Sequence, residues 1–358
     1  METKTAESLS PEKAALERGV RVVAIGGGTG LSTLLKGLKR FVLSPAEILL
    51  NPDALAIRDL SAVVTVSDDG GSSGRLRKEL NMLPPGDIRN CIVALSEDEA
   101  LLSRLFRHRF EKGSGLEGHS FGNLFLAALT SLTSDFSEAV RLSSEILLTR
   151  GHIYPATTSN IELEALMEDG TRVRGETKIT ASKGRIRELF LVPPDVGPMP
   201  QTLEAIAHAD LITIGPGSLF TSLIPNLLVR GIADAIVQSH ATKVYICNLM
   251  TQANESLDLT AADHIRALNR HAQKQIFDFA MINRTPVSDE LKAKYAGEGA
   301  CQIVNDLDAV KSLGVVPILG DYLDEGGVAR HNTERVARDL MQLAAEHPRS
   351  LRTSPIKH

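Results

Sequence analysis

Apolar positions along this chain alternate between two patterns. Short unbroken runs read as strands buried on both faces: VVAI within residues 21–28, LSAVVTV at 60–66, LITI at 211–214, KVYICNL at 243–249 and a run at 277–282. Between them, apolar residues recur at helical spacing, first as Leu31, Leu34, Leu35 and Leu38 on one face. Further helices are expected at 87–96, 98–110, 120–132, 136–148, 203–208, 219–228, 261–275 and 332–346. Asp87 follows Pro84-Pro85-Gly86 and is placed as an N-cap; Asn332 or Thr333 caps the last helix. The segment holding Pro45, Asn51 and Pro52 reads as a loop or insertion. Residues 288–295 carry no firm pattern, and a short strand is expected at 317–319.

From 152 to 192 the period changes to two. A turn at Asp169-Gly170 separates alternating runs, and ELFLV adds a strand, so this segment is expected to be an antiparallel insertion. The expected organisation is a polar tail at 1–20, one domain at 21–345 with its insertion at 152–192, and a tail at 346–358. Each long strand ends in a polar or glycine-rich turn. That is the layout of an α/β fold with a doubly wound, mainly parallel sheet, whose ligand crevice lies at the carboxyl ends of the strands.

Composition narrows the function classes. The chain has 358 residues, 43% hydrophobic and 23% charged, enough for a full-sized core. Only 4% are aromatic and none is Trp, which argues against stacking platforms for single-stranded nucleic acid. A net charge of -5 gives no general attraction to polyanions. Cys91, Cys247 and Cys301 lie far apart without a CxxC, so neither a zinc ribbon nor a disulfide framework is expected, and a reducing cytosol is the simple inference. The N-terminal stretch lacks the apolar centre of a signal peptide, and no apolar run approaches the ~18 residues of a membrane span. A cytoplasmic protein without nucleic-acid or membrane partners is expected.

The candidate chemistry sits in the turns. Gly26, Gly27, Gly28, Thr29 and Gly30 follow the first strand and open a helix. The spacing is not the dinucleotide fingerprint, because the third glycine would fall at Leu31, and no Gly-Lys-Ser/Thr makes it a Walker loop. The general mechanism remains: glycines admit a phosphate close to the backbone, and Thr29 offers a hydroxyl. A plain strand-to-helix turn needs fewer glycines than this. Ser67, Asp68, Asp69, Ser72, Ser73 and Arg75 lie at the end of the second strand. A carboxylate there could take a ribose hydroxyl, or Asp68 and Asp69 together could hold one Mg²⁺, the one cofactor candidate. The serines could form an anion nest and Arg75 a phosphate contact; a solvated turn with a helix cap is the bland alternative.

Asp87, Arg89 and Asn90 open one helix, while His119 and Asn123 flank the start of another, where the histidine could act as base or phosphate donor. The first set is equally compatible with an N-cap and a surface Arg, and a lone histidine is more often just a satisfied polar residue. Gly215, Gly217 and Ser218 make a second glycine turn. Asn248, Thr251 and Gln252 end the next strand in neutral groups suited to a sugar or base. No GxSxG elbow and no cluster with transition-metal spacing is present.

Together GGGTGL, TVSDDGGSSGRLR, LPPGDIRNC, GHSFGNL, GPGSLFTSLIPNLL and CNLMTQANE resemble, in this order, the bacterial gluconeogenesis-factor family, a branch of the CofD-like superfamily. The resemblance covers roughly residues 20–345 and departs from the family pattern in a longer N-terminal tail and an extra segment around 45–58. It implies a Rossmann-like three-layer αβα fold that binds a nucleotide sugar of the UDP-N-acetylglucosamine or UDP-glucose type. It also implies a role linking carbon metabolism to cell-wall synthesis and cell shape, with a regulated protein partner in cell-wall synthesis and a homo-oligomer among the expectations. The sister branch implies the alternative, an Mg²⁺-dependent 2-phospho-L-lactate transferase acting on a nucleotidyl-phospholactate in deazaflavin coenzyme synthesis. By position, Gly26 to Gly30 and Gly215 to Ser218 would contact phosphates. Asp68, Asp69, Asn248, Thr251 and Gln252 would line the nucleoside or sugar pocket, and Tyr295 and Arg330 lie in stretches similar to ligand-contacting ones. No nucleophile–base pair can be named from the sequence, which favours a ligand-binding regulator over the transferase.

Overall fold

A computed structural model describes residues 19–51, 53–97, 101–182 and 184–348. Its strands are β1 (Val20–Gly26), β2 (Ile57–Val64), β3 (His152–Pro155), β4 (Glu162–Met167), β5 (Arg172–Arg174), β6 (Ile186–Val192), β7 (Leu211–Ile214), β8 (Thr242–Ile246), β9 (Phe279–Asn283), β10 (Val316–Gly320), β11 (Leu323–Glu325) and β12 (Ala329–His331). Seven of them form one sheet in the order β10-β9-β8-β7-β1-β2-β3, and every pairing is parallel. Helices cover both faces, which makes the expected three-layer α/β fold. The chain runs outward from β1 through β2 to β3, then returns to β7 and runs outward the other way to β10. The order therefore reverses between β1 and β7, and a crevice opens at their carboxyl ends. Both glycine turns sit there.

The central strands are as apolar as their runs suggest: Val22, Val23, Ala24 and Ile25 are buried. The Gly28–Leu38 helix lays Leu31, Leu34, Leu35 and Leu38 onto them, the face read from spacing. β4, β5 and β6 form the antiparallel insertion, with the hairpin turn at Asp169-Gly170. Its boundary differs from expectation. His152–Pro155 belongs to the main sheet, parallel to β2. As an edge strand it is half-exposed, so its residues alternate and mimic a hairpin.

Other differences have local causes. Pro45–Leu50 is a short helix, because Ser44 and Glu47 form a reciprocal capping box. Of the expected 98–110 helix, Leu101–Arg107 is helical and residues 98–100 lie outside the described residues, while 219–228 opens as a π-turn, Leu219–Leu223, before Ile224–Leu228. Residues 289–297 form a helix capped by Ser288. Asn332 caps the last helix, Thr333–Glu346. Asp87 is not an N-cap: Pro85 holds that position of the Gly86–Leu95 helix, and no side chain caps it. Residues 1–18 of the expected N-terminal tail, and 349–358 of the C-terminal one, lie outside the described residues. Among the described residues no single helix is long and apolar enough to cross a membrane.

Candidate functional site

The two glycine turns touch. A Cβ on Gly30 would stand 2.2 Å from the carbonyl oxygen of Pro216, so only glycine lets the turns after β1 and β7 pack together. Gly28 has φ +62 and needs its conformational freedom for the turn into the helix. The next strand end locks this pair. Asn248, after β8, accepts from the Gly217 N–H at 3.1 Å and donates to the Gly217 carbonyl at 2.7 Å. Gln252 Nε2 donates to Ser218 Oγ at 2.9 Å.

A cleft of about 650 Å³ opens over the junction. Its floor is Gly27, Gly28, Thr29, Gly30, Gly217 and Ser218, and its polar wall is Asn90, Asn248, Thr251 and Gln252. Lys36, Arg89, Arg107 and Arg330 bring four cationic side chains to it. The far wall is Tyr295 with Val328 and Ala329, and the Tyr295 hydroxyl accepts from the Ala329 N–H at 3.2 Å. A small apolar cluster of Leu249, Met250, Val287 and Leu291 holds this wall in place, apart from the main core. The amides of Thr29 and Gly30 belong to the first helical turn, whose N–H groups have no intrahelical acceptor. They are the natural seat for an anion.

A second chamber of about 350 Å³ shares Gly28, Thr29, Ser218, Ser222 and Gln252 with the cleft. Its charge is opposite, for Asp68, Asp87, Glu176 and Glu255 line it. Asp87 Oδ2 accepts from the Gly28 N–H at 2.8 Å, across 59 positions of sequence. Glu255 Oε1 accepts from the N–H groups of Phe220 and Thr221, both at 2.8 Å. Burial pushes Glu176 up to about 9, and the neighbouring Asp68, Asp87, Asp69 and Glu255 push the same way. Burial also raises Asp87 to about 6 against the stabilising Gly28 N–H. Glu255 is raised by burial, opposed by its two backbone donors.

The expected Asp68–Asp69 pair is not brought together on one ligand. Asp68 lines the acidic chamber and accepts from the Gly70 N–H at 2.9 Å. Asp69 faces the insertion, where it accepts from the N–H of Thr177 at 2.8 Å and from its hydroxyl, tying down the Glu176–Ala181 helix. Among the described residues no group of three or more His, Cys, Asp or Glu side chains is arranged to hold a metal ion. Of the two aspartates named for Mg²⁺, Asp68 lines the chamber and Asp69 is bonded to Thr177.

Several other candidates stand behind the site rather than in it. Ser72, His119 and Asn123 form a buried trio: Ser72 Oγ lies 2.9 Å from His119 Nδ1 and accepts from Asn123 Nδ2 at 3.1 Å. Burial, with Arg75 nearby, lowers the histidine. Arg75 donates to the Glu117 carbonyl, Ser67 pairs with Thr65, and Ser73 packs beneath Gly86. Gly26 ends β1, its carbonyl bonded by Asn226, and Gly215 lies under the Ile246 carbonyl. None of these lines either chamber.

Sequence reading passed over Ser32, Thr33, Lys36, Arg107, Glu176 and Glu255. A signal existed for the first three: with Gly28 and Thr29 they repeat every four residues, a polar stripe opposite the leucines.

Comparison with known proteins places the chain in a family. The sequence model of the family described as 2-phospho-L-lactate transferase CofD matches residues 22–323. The chain is 50% identical over 323 residues to a gluconeogenesis factor of Halalkalibacterium halodurans, covering 90% of this chain and 95% of the relative. It is 46% identical to the gluconeogenesis factor of Bacillus subtilis, covering 91% and 98%. A crystal structure of a Bacillus halodurans protein superposes with a TM-score of 0.84 at 48% identity, covering 90% of this chain and 99% of that one. Matched by the family model over residues 22–323 and by these relatives over nine-tenths of its length, the chain belongs to the gluconeogenesis factors of the CofD family.

Proposed function

We propose that the basic cleft binds a nucleotide sugar of the UDP-N-acetylglucosamine type, and that the protein works as a ligand-binding regulator of carbon metabolism, cell-wall synthesis and cell shape. One observation carries this reading: the polar groups facing the cleft are backbone amides, neutral amides and hydroxyls, four cationic side chains and the His331 imidazole, which is bonded to the Cys247 carbonyl, with no activated nucleophile among them. Amides and cations suit a diphosphate, and Asn248, Thr251 and Gln252 suit sugar or base hydrogen bonds. A serine–histidine contact among the described residues, Ser72 with His119, is 4% and 3% exposed and lies outside both chambers.

The acidic chamber favours the second reading, group transfer of the 2-phospho-L-lactate transferase type. A carboxylate there could take the proton of an acceptor hydroxyl beside the phosphate seat. Calorimetry with UDP-N-acetylglucosamine, with and without Mg²⁺, followed by product analysis, separates the two. Micromolar binding without turnover, insensitive to chelator, is the expected result. Conversion of a nucleotidyl-phospholactate without UDP-sugar binding would overturn the regulator reading.

A further inference from the structure

The anion seats at the two glycine turns already hold internal carboxylates. Asp87 takes the N–H of Gly28, and Glu255 takes those of Phe220 and Thr221. The two differ in how firmly they sit. Glu255 is bonded to two backbone donors and is 6% exposed, so it closes the second seat permanently. Asp87 holds one donor, and that donor belongs to Gly28, one of the residues lining both chambers. We propose that Asp87 is a built-in competitor for the phosphate seat at Gly28, which gives up that N–H to an incoming diphosphate only as the neutral acid. The inference rests on the cleft being a diphosphate site.

The neutral acid follows from the surroundings. A displaced Asp87 carboxylate would move into the acidic chamber it already lines, with Asp68, Glu176 and Glu255 around it. Keeping the charge in place would set it beside the ligand phosphates in a poorly solvated recess. Protonation removes both repulsions and turns an acceptor into an O–H that donates to a phosphate oxygen. The charged and titratable groups around Asp87 come from four elements: Asp68 after β2, Glu176 on the insertion helix, Glu255 after β8, and Arg89 with the buried Cys91 on its own helix. Glu176, held up to about 9, stays protonated between pH 6 and 8, and His331 in the cleft, lowered to about 4 by burial, stays neutral there. Arg89 stays charged and Cys91 stays a thiol, since burial raises it further. Glu255, raised by burial, stays on the Phe220 and Thr221 N–H groups and takes no part at Gly28, so Asp87 is the group whose proton decides access to that N–H.

The test is calorimetric titration of the full chain with UDP-N-acetylglucosamine, whose diphosphate diester does not titrate in this range. With Asp87 released near pH 6, affinity is expected to weaken roughly 50-fold from pH 6 to pH 8. Repeating the titration at pH 7.5 in buffers of different ionisation enthalpy should count about one proton taken up per ligand bound. This readout needs no variant. Asp87→Asn keeps an oxygen for Gly28 and removes the charge; it should bind with nearly the same affinity at both pH values, and more tightly than wild type at pH 8. Binding that is independent of pH in wild type, with no proton uptake, overturns the competitor while leaving the cleft reading intact. Absence of binding by both proteins at both pH values overturns the cleft reading and the competitor with it.

Discussion

Replacing Gly30 by alanine puts a methyl carbon 2.2 Å from the carbonyl oxygen of Pro216, 2.7 Å from its carbon and 3.0 Å from the Cα of Gly217. Carbon–oxygen contacts settle at about 3.3 Å or more, so the two turns must part by roughly 1 Å. All three atoms are backbone, and the Gly217 end is pinned by both amide atoms of Asn248. No rotamer change can relieve the clash. Overpacking of this kind costs about 1–3 kcal/mol, which lowers the midpoint of thermal unfolding by a few degrees in a chain of this size. The ligand consequence is larger than the stability one, because the anion seat and the Asn248–Gln252 wall move apart by the length of a hydrogen-bond mismatch. Loss of two hydrogen bonds to phosphate, at about 1.5 kcal/mol each or more, predicts at least a hundredfold weaker binding of UDP-N-acetylglucosamine. The assay is thermal unfolding followed by calorimetry on the folded variant. Gly297→Ala is the control, since nothing lies within 4 Å of its Cβ position; it should leave both quantities unchanged. An unchanged melting temperature and affinity in Gly30→Ala would refute the claim that close contact of the turns builds the site.

Arg107→Ala and Arg330→Ala remove exposed cations from the cleft rim; each should weaken ligand binding about tenfold or more at low salt, less at high salt, with unfolding unaffected. Asp69→Ala should cost about 1 kcal/mol of stability through the loss of its grip on Thr177, and binding measured with chelator should match binding with Mg²⁺; affinity restored by Mg²⁺ alone would contradict the assigned role. Glu176 is protonated in the folded protein up to about pH 9 but ionised above its ordinary value when unfolded. Its burial therefore opposes folding increasingly as pH rises from about 4.5 to 9, and Glu176→Gln should raise the melting temperature at pH 8 but not at pH 4. His264, with its ring buried and held down to about 4, works in the opposite direction. The unfolded chain takes its proton near pH 6.5 and the folded one does not, so stability present above that pH is lost as pH falls towards 4, at about 1.4 kcal/mol per unit of separation. A melting temperature that is flat between pH 6.5 and 4 would count against this burial.

Local pattern was enough for the framework. Continuous apolar runs mark strands buried on both faces, and Leu31, Leu34, Leu35 and Leu38 mark a helix face, because each reports its own periodicity. The glycine turns and the amides at 248–252 were legible for the same reason: their chemistry is local to a turn. The failures share another cause. Asp87 looks like an N-cap from its neighbours, yet its oxygen is used by Gly28 on a different element. Asp69 looks like a partner for Asp68 but is spent on Thr177 of the insertion. Glu176 and Glu255 carry no signal in the sequence; only the packing of the insertion and of the turn after β8 carries them into a shared chamber. His152–Pro155 was misassigned because an edge strand alternates like a hairpin. What periodicity cannot report is which distant backbone group a polar side chain will meet.

The central claim is that a diphosphate lies across the junction of the two glycine turns. It is tested most directly by a crystal structure of the protein with UDP-N-acetylglucosamine. The account predicts diphosphate density against the amides of Thr29 and Gly30, the sugar or base within reach of Asn248 and Gln252, and the Asp87 carboxyl no longer bonded to Gly28. A ligand bound elsewhere on the protein, with the Gly28–Asp87 contact intact at 2.8 Å, would contradict it.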